Sequence, residues 1–191
     1  MVHTSPNPPA RPASLIGNRP PISSLIQQPS NGPLNEQFLI STFMTYLAKP
    51  SIEALEQESW MKYLPTFASS SRVMNCSIRA TTLAFFARLT DNNDMKVEAN
   101  WWYATALREE RAHVQHLLLH QPASEDVCAP LMLMYYELIR PTATGGWMKH
   151  LVAASKLMEL TGPENCQTGA SHLLFKAVRL LMVFFHSFLD I

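Results

Sequence analysis

The sequence predicts an all-α protein, organised as an irregular helical bundle or a short stack of antiparallel helix pairs with about seven helices. Apolar residues recur at helical spacing in successive segments, and Pro or Gly residues separate those segments. No segment shows the alternation of apolar and polar residues that is typical of a half-buried strand. The connections are short, which favours neighbouring helices packed as antiparallel hairpins.

Composition divides the chain into two regions. Residues 1–33 hold eight of the fourteen prolines, mixed with Ser, Asn and Gln, and show no helical or strand period. Such a segment buries too little apolar surface to offset the entropy lost on ordering, so a disordered Pro-rich linker is predicted. Residues 34–191 carry the helical segments and are predicted to form one all-helical domain, since about 100 to 200 residues are typical of a domain.

Capping residues and prolines set the bounds of the first two predicted helices. Asn35 is a suitable N-cap, and the first helix is expected to run to about Ala48, before Pro50. A second helix is expected to begin at Ser51 and to end at Pro65.

The third predicted helix, from Arg72 to about Leu89, follows a serine-rich loop that can cap it. Apolar residues cover several of its sides, which is typical of a helix buried between neighbours. We therefore expect this helix to be central. Six of its residues share one face: Val73, Cys76, Ala80, Leu83, Ala84 and Ala87.

The fourth and longest predicted helix begins at Asp94 and reaches about Gln121. Its apolar residues fall within an arc of about 140° by helical rotation, and this arc is expected to face the core. A tryptophan on such an arc is typically a core residue. The arc consists of Val97, Trp101, Ala104, Leu107, Val114 and Leu118.

The fifth helix has two alternative starts. Ser124 and the acidic residues after it resemble a capped start, which would place Pro130 inside the helix; alternatively, Pro130 stands in the first turn. The sixth helix is predicted from Trp147 to Leu160, and residues 161–163, Thr-Gly-Pro, end it.

The seventh helix, Thr168 to Leu189, is apolar over well more than a third of its circumference. Such a helix requires neighbours on both flanks, so we expect it to expose apolar surface or to pair with a second chain. Its narrow polar side consists of Lys176, Arg179, His186 and Ser187.

The balance of charge argues against direct nucleic-acid binding. Lys and Arg together number 15, as do Asp and Glu, so the formal net charge is zero. Proteins that neutralise phosphates normally carry a basic excess or a basic stripe. No N-terminal segment has the pattern of a secretory signal, and the longest apolar run, residues 180–185, is far shorter than the roughly 18 to 20 residues of a membrane span. A soluble intracellular protein without membrane contact is predicted.

The three cysteines, Cys76, Cys128 and Cys166, lie far apart and form no Cys-x-x-Cys pair. A disulfide framework or a closed zinc site would need paired, closely spaced ligands. Buried or incidental thiols in a reducing compartment are therefore expected.

One polar stripe has the spacing of metal ligands on a helix. Its members follow one another by four, three and four residues, which places them within an arc of about 60°. The same rotation places the stripe almost opposite the apolar arc, so a solvated face of ordinary polar residues is predicted, with a surface metal or partner site as the alternative. The stripe consists of Glu109, His113, His116 and His120.

Other chemical motifs are missing. The sequence contains no Gly-x-Ser-x-Gly elbow, no nucleophilic cysteine signature and no phosphate-binding glycine loop. Gly145-Gly146 opens a helix and could face an anion, but a flexible turn is the predicted role. The chain is therefore predicted not to be an enzyme, with no catalytic, cofactor-binding or metal-binding residues and no cofactor.

Four short motifs in the last third of the chain resemble the helical regulatory region of fungal zinc-cluster transcription factors. They are a Tyr-Glu pair, a Trp-x-x-His, a Gly-Pro-Glu and a Leu-Phe-x-x-x-Arg. The resemblance extends over about residues 35–188. The residues that carry it are Tyr136, Glu137, Trp147, His150, Gly162, Pro163, Glu164, Leu174, Phe175 and Arg179.

The resemblance implies an all-helical regulatory domain, shortened at its C-terminus relative to the family, that acts in the nucleus on transcription. It also implies action through a protein partner, through self-association, or through a small-molecule effector held between helices. In the family, a six-cysteine zinc cluster binds DNA, but residues 1–33 contain no cysteine. Zinc binding and operator recognition are therefore not carried over. Two alternatives stay open: a metal-using helical enzyme or accessory protein built on the stripe of Glu109, His113, His116 and His120, and a gene-model fragment without independent function.

Overall fold

The structure, a computed structural model of the chain, describes residues 33–47, 59–117 and 120–189. Every regular element in these ranges is helical, so the predicted all-α class is confirmed. Apart from Pro33, the predicted linker lies outside these ranges, as does the predicted helix start at Ser51. The described α-helices are α1 (Pro33–Leu47), α2 (Leu64–Ala68), α3 (Arg72–Thr90), α4 (Asn93–Leu117), α5 (Ser124–Ile139), α6 (Gly146–Thr161) and α7 (Gly169–Leu189), with 3₁₀ turns at Trp60–Tyr63 and Pro163–Cys166.

Helix α3 is central, as predicted, and contacts α1, α2, α4 and α5. The Ser71 hydroxyl caps its start by accepting a hydrogen bond from the amide of Met74 at 3.1 Å. Asp91 ends it in the left-handed conformation, with φ +50°. All six residues predicted to share one face of this helix are buried.

The predicted end of the second helix at Pro65 is wrong. Pro65 stands in the first turn of α2, and the helix continues to Ala68. A proline is tolerated there because the amide it lacks would have no intrahelical acceptor in the first turn.

Helix α5 begins at Ser124 and contains Pro130, so the first of the two predicted starts is confirmed. The Asp126 carboxylate accepts a hydrogen bond from the amide of Ala123 at 2.8 Å and so satisfies one of the free amides at the helix start. Pro130 is buried, and it removes one hydrogen bond from the helix interior.

Helix α6 ends at Thr161, within one residue of the prediction, and Gly162 follows with φ +81°. Pro163 then opens the second 3₁₀ turn. A glycine with a positive φ followed by proline is the helix stop that the sequence indicated.

Among the described residues, two apolar clusters form the core, and α5 contributes to both. One includes Phe43 of α1, Leu151 of α6 and Leu174 of α7. The other joins α3 and α4 to Leu133 and Tyr136 of α5. Within the described ranges, none of the helices combines the length and the apolar character that a bilayer crossing requires.

Candidate functional site

A buried polar cluster lies between α4, α5 and α6, and residues of the family resemblance form part of it. Tyr136 and Glu137 stand near the end of α5, and His150 stands in the first turns of α6. All three are buried, with Glu137 only 1% exposed. A carboxylate removed from water needs hydrogen-bond donors, since burying it without them costs several kcal/mol.

Three hydrogen bonds supply those donors. The Tyr103 hydroxyl donates to Glu137 Oε1 at 2.6 Å, and the Thr142 amide donates to Oε2 at 2.9 Å. The Thr142 hydroxyl also donates to Oε1. Burial raises the pKa of Glu137, but the hydrogen bonds from Thr142 and Tyr103 outweigh it and hold that pKa below its ordinary value. Glu137 is therefore a buried anion.

His150 completes the cluster, since its Nε2 lies 3.0 Å from the Tyr103 hydroxyl. Because that hydroxyl donates to Glu137, the histidine must donate in turn, which assigns its proton to Nε2. Burial lowers the pKa of His150 below its ordinary value, with the Glu137 charge opposing the shift. The cluster thus holds a neutral imidazole, a phenol and a carboxylate in one chain of hydrogen bonds.

Gly146 is required where α6 meets the carboxylate. A Cβ atom added to Gly146 would lie 2.5 Å from Glu137 Oε2, closer than real Cβ contacts allow. Gly145 precedes it in the left-handed conformation, with φ +70°. The Gly145-Gly146 turn therefore opens α6 against an internal anion, where the positive end of the helix favours the negative charge.

A second layer of polar groups surrounds the cluster. Asn100 Oδ1 accepts hydrogen bonds from the Tyr136 hydroxyl at 2.6 Å and from Arg140 Nε at 2.7 Å. The rings of Tyr103 and Tyr136 stack with their centroids 4.1 Å apart. A cavity of about 640 Å³ opens beside these groups. The hydrogen bonds and the stacked rings connect α4, α5 and α6 to one another.

Catalysis does not follow from this arrangement. The carboxylate oxygens accept hydrogen bonds from within the protein, and burial together with the bond to Glu137 raises the pKa of Tyr103 well above its ordinary value. A proton-transfer catalyst needs a pKa near the working pH. The geometry instead suits a structural role, in which the hydrogen bonds of the cluster fix the packing of α4, α5 and α6.

The predicted histidine stripe is not opposite the core but beside it. Glu109 forms an ion pair with Arg72 at 2.8 Å, and His113 Nε2 lies 2.8 Å from Asp126 Oδ1. The described part of α4 runs to Leu117. His120 stands in a bend and Gln121 lies outside any helix, so the prediction that α4 reaches Gln121 is wrong. The side chain of His116 lies outside the described residues. Among the described residues, no group of three or more His, Cys, Asp or Glu is arranged to hold a metal ion.

The predicted orientation of α4 is wrong by more than a third of a turn. Its buried residues are Met95, Ala99, Tyr103 and Ala106. The arc predicted to face the core points outward instead: Val97 is 69% exposed and Trp101 is 56% exposed. Leu107, Val114 and Ala104 are exposed as well, and Leu118 lies outside the described residues.

Close helix packing explains this orientation. The face of α3 that meets α4 includes three alanines, Ala80, Ala84 and Ala87, and small residues on both helices allow their backbones to approach. Tyr103 must also point inward because its hydroxyl satisfies Glu137. The large apolar residues of α4 are therefore left on the surface, where contiguous apolar patches mark interaction sites.

Helix α7 exposes apolar residues, as the sequence predicted. Leu180 is 65% exposed, Val183 is 59% exposed, and Phe184 is exposed too. The opposite side of α7 packs on the core, where Leu174 is buried and Phe185 lies 4.1 Å from Trp147 between ring centroids. This ring contact places Trp147 in the packing between α6 and α7.

The three cysteines are free and buried, which confirms the predicted thiols. Burial raises the pKa of each, most strongly at Cys128. Thiols of this kind are unreactive while the protein is folded.

The roles of Tyr103, Thr142 and Asn100 in this cluster were not predicted from the sequence. Tyr103 and Asn100 stand on α4, far from α5 along the chain, so no local spacing connects them to Glu137. Thr142 stands in the loop after α5, where no helical spacing applies. The signal that could have found them is Glu137 itself. A carboxylate in the otherwise apolar stretch Leu131–Ile139 indicates that buried donors lie nearby.

Comparison of the chain with protein-family models, with curated proteins and with solved structures gave no match. The functional argument therefore depends on the residues and their geometry.

Proposed function

We propose that the chain is a transcription-regulator-like protein that acts through protein contacts, without a DNA-binding module within these 191 residues. The resemblance of its four motifs to the helical region of fungal zinc-cluster transcription factors supports this proposal. The equal numbers of acidic and basic residues and the lack of cysteine in residues 1–33 support it as well. By the same resemblance, its place of action is the nucleus.

One observation carries the proposal: large apolar side chains of two helices lie on the outside of the domain. Val97 and Trp101 project from α4, and Leu180 and Val183 project from α7. Exposing apolar surface costs roughly 25 cal/mol per Å², so such faces are typical of surfaces that another molecule covers. The covering molecule is a protein partner or a second copy of the chain.

A tethering assay tests this function. The chain is fused to a heterologous DNA-binding domain, and transcription from a reporter carrying the matching operator is measured. We expect the fusion to raise or lower transcription relative to the DNA-binding domain alone. The double variant Trp101→Glu with Val183→Asp should lose that effect, because both residues stand on the outer apolar faces.

Lys156→Glu is the matched control, since Lys156 is exposed on α6 and belongs to neither face. It should behave as the wild type does. A reporter that is unaffected by the wild-type fusion would contradict the proposed function. Tight binding of the purified chain to a defined DNA site would contradict the lack of a DNA-binding module.

A further inference from the structure

A groove of about 740 Å³ runs between the end of α6, the 3₁₀ turn after it and α7. Buried side chains form its floor: Met158, Cys166 and Val178. Phe175 and Val183 of α7 line it from the exposed side. Its surface is thus mainly apolar, and it continues directly into the outer apolar face of α7.

The charges around the groove are unequal on its two walls. Helix α7 contains Lys176 and Arg179 but no Asp or Glu between Gly169 and Leu189. Arg179 lines the groove, and neither cation pairs with a carboxylate in the described part of the chain. The wall formed by α6 carries one carboxylate, Glu159. A complementary partner is therefore acidic on the side that faces α7.

The dimensions of the groove fit a helix. It follows α7 from His172 to Val183. At 1.5 Å per residue this distance is roughly 16 Å, which equals about three turns of an α-helix. Amphipathic helices bind such grooves through apolar residues spaced by three and four positions.

We propose that this groove binds an amphipathic α-helix of a partner protein, with the apolar side of that helix on Met158 and Val178 and its acidic side against Arg179. This inference depends on the proposed function, because it names the kind of partner that the regulator contacts. Glu159 sets the orientation, since a basic residue on the other side of the partner helix would meet it.

Fluorescence anisotropy with designed peptides tests the proposal. The first probe is a labelled peptide of about 18 residues with Leu and Phe on one face and Glu on the other positions. The second probe has Lys in place of every Glu, and the third has the composition of the first in scrambled order. We expect the acidic peptide to bind more tightly than the other two, and its affinity to fall as salt is added.

Two pairs of matched variants locate the binding site on the folded chain. Arg179→Glu should weaken binding of the acidic peptide roughly fivefold or more, whereas Arg111→Glu on α4 should leave it unchanged. Val183→Asp should weaken it on the order of tenfold, whereas Val97→Asp should not. All four residues are exposed, so circular dichroism and thermal unfolding should show the same fold in each variant.

Several results would overturn the proposal. These are no binding of the acidic peptide at about 1 mM, equal binding of the acidic and basic peptides, or equal effects of the groove variants and the α4 variants. Stronger binding to vesicles of phosphatidylcholine and phosphatidylserine than to the peptide would replace the partner helix with a lipid surface. A dimer that Val183→Asp dissociates, and with which the peptide does not compete, would replace it with a second copy.

The tethering assay separates this inference from the proposed function. If the chain changes reporter transcription but binds none of the peptides, only the groove proposal is refuted. If the chain binds the acidic peptide through the groove but leaves reporter transcription unchanged, the proposed function in transcription is refuted and the groove proposal stands.

Discussion

Replacing Glu137 with Gln tests whether the buried polar cluster fixes the packing of α4, α5 and α6. The substitution keeps the size of the side chain and removes its charge. Glu137 accepts one hydrogen bond from the hydroxyl of Tyr103 and two from Thr142. A glutamine can keep its carbonyl at the position of Oε1, but its NH₂ group then faces the Thr142 amide, which is another donor.

The expected loss of stability follows from those contacts. Leaving the Thr142 amide without an acceptor costs about 1 to 3 kcal/mol. The two bonds that remain change from charge-assisted to neutral, and each weakens by about 1 kcal/mol. Removing the buried charge recovers part of its desolvation cost. We therefore expect Glu137→Gln to lower the free energy of unfolding by about 2 to 4 kcal/mol, out of the roughly 5 to 15 kcal/mol typical of a domain.

Urea unfolding at about pH 7.5, followed by tryptophan fluorescence and circular dichroism, measures this loss. Glu159→Gln is the control, because Glu159 is exposed, and its effect should stay within about 0.5 kcal/mol. The double variant with Thr142→Ala should lose less than the two single variants together, since the residues share their hydrogen bonds. If Glu137→Gln were as stable as the wild type, the cluster would not fix the packing of the helices.

Three further predictions concern the same helices. Gly146→Ala should lower the free energy of unfolding by about 2 kcal/mol or more, because the new Cβ displaces the Glu137 carboxylate; urea unfolding would show it, and no loss would refute the contact. The pKa of His150 in the folded protein lies below its value in the unfolded chain, so the free energy of unfolding should fall as the pH drops below about 6.5. The lowered pKa of Glu137 should cause a second loss of stability below about pH 4.3. His150→Gln should remove the first fall alone, and an identical pH profile in that variant would contradict the assignment. Trp101→Gln should change stability by less than about 1 kcal/mol, whereas Trp60→Ala, at a buried site, should cost about 3 to 5 kcal/mol; equal losses would place Trp101 in the core.

Local signals were sufficient for most of the helix bounds. Ser71 caps α3, and Gly162 with Pro163 ends α6, because backbone geometry at a helix end depends on the residues at that end. The same kind of signal left two starts open for α5. Tertiary packing decided between them, since Pro130 lies inside a helix that is buried on most sides.

The orientation of α4 could not be read from hydrophobicity. Rotation of the large apolar residues placed Trp101 inward, but the helix packs through Ala99 and Ala106. Small residues contribute little to an apolar pattern, although they determine how closely two backbones approach. The error also misplaced the histidine stripe, because His113 borders the buried face rather than opposing it.

The polar cluster could not be predicted from the sequence for a different reason. Tyr103, Glu137 and His150 come from three helices, and their meeting depends on how α4, α5 and α6 pack. The family resemblance singled out Tyr136 and His150 in the sequence. It gave no local pattern that pointed to Tyr103 as the donor.

Site-specific photo-crosslinking in cells tests most directly whether the chain acts by contact through its outer apolar faces. A photoreactive phenylalanine analogue is placed at Trp101 on α4, at Val183 on α7, or at the control position Lys156 on α6, and crosslinked species are measured after irradiation. We predict a discrete crosslinked species from Trp101 or Val183 and none from Lys156. No crosslink from either face, or equal crosslinking from all three positions, would contradict the account.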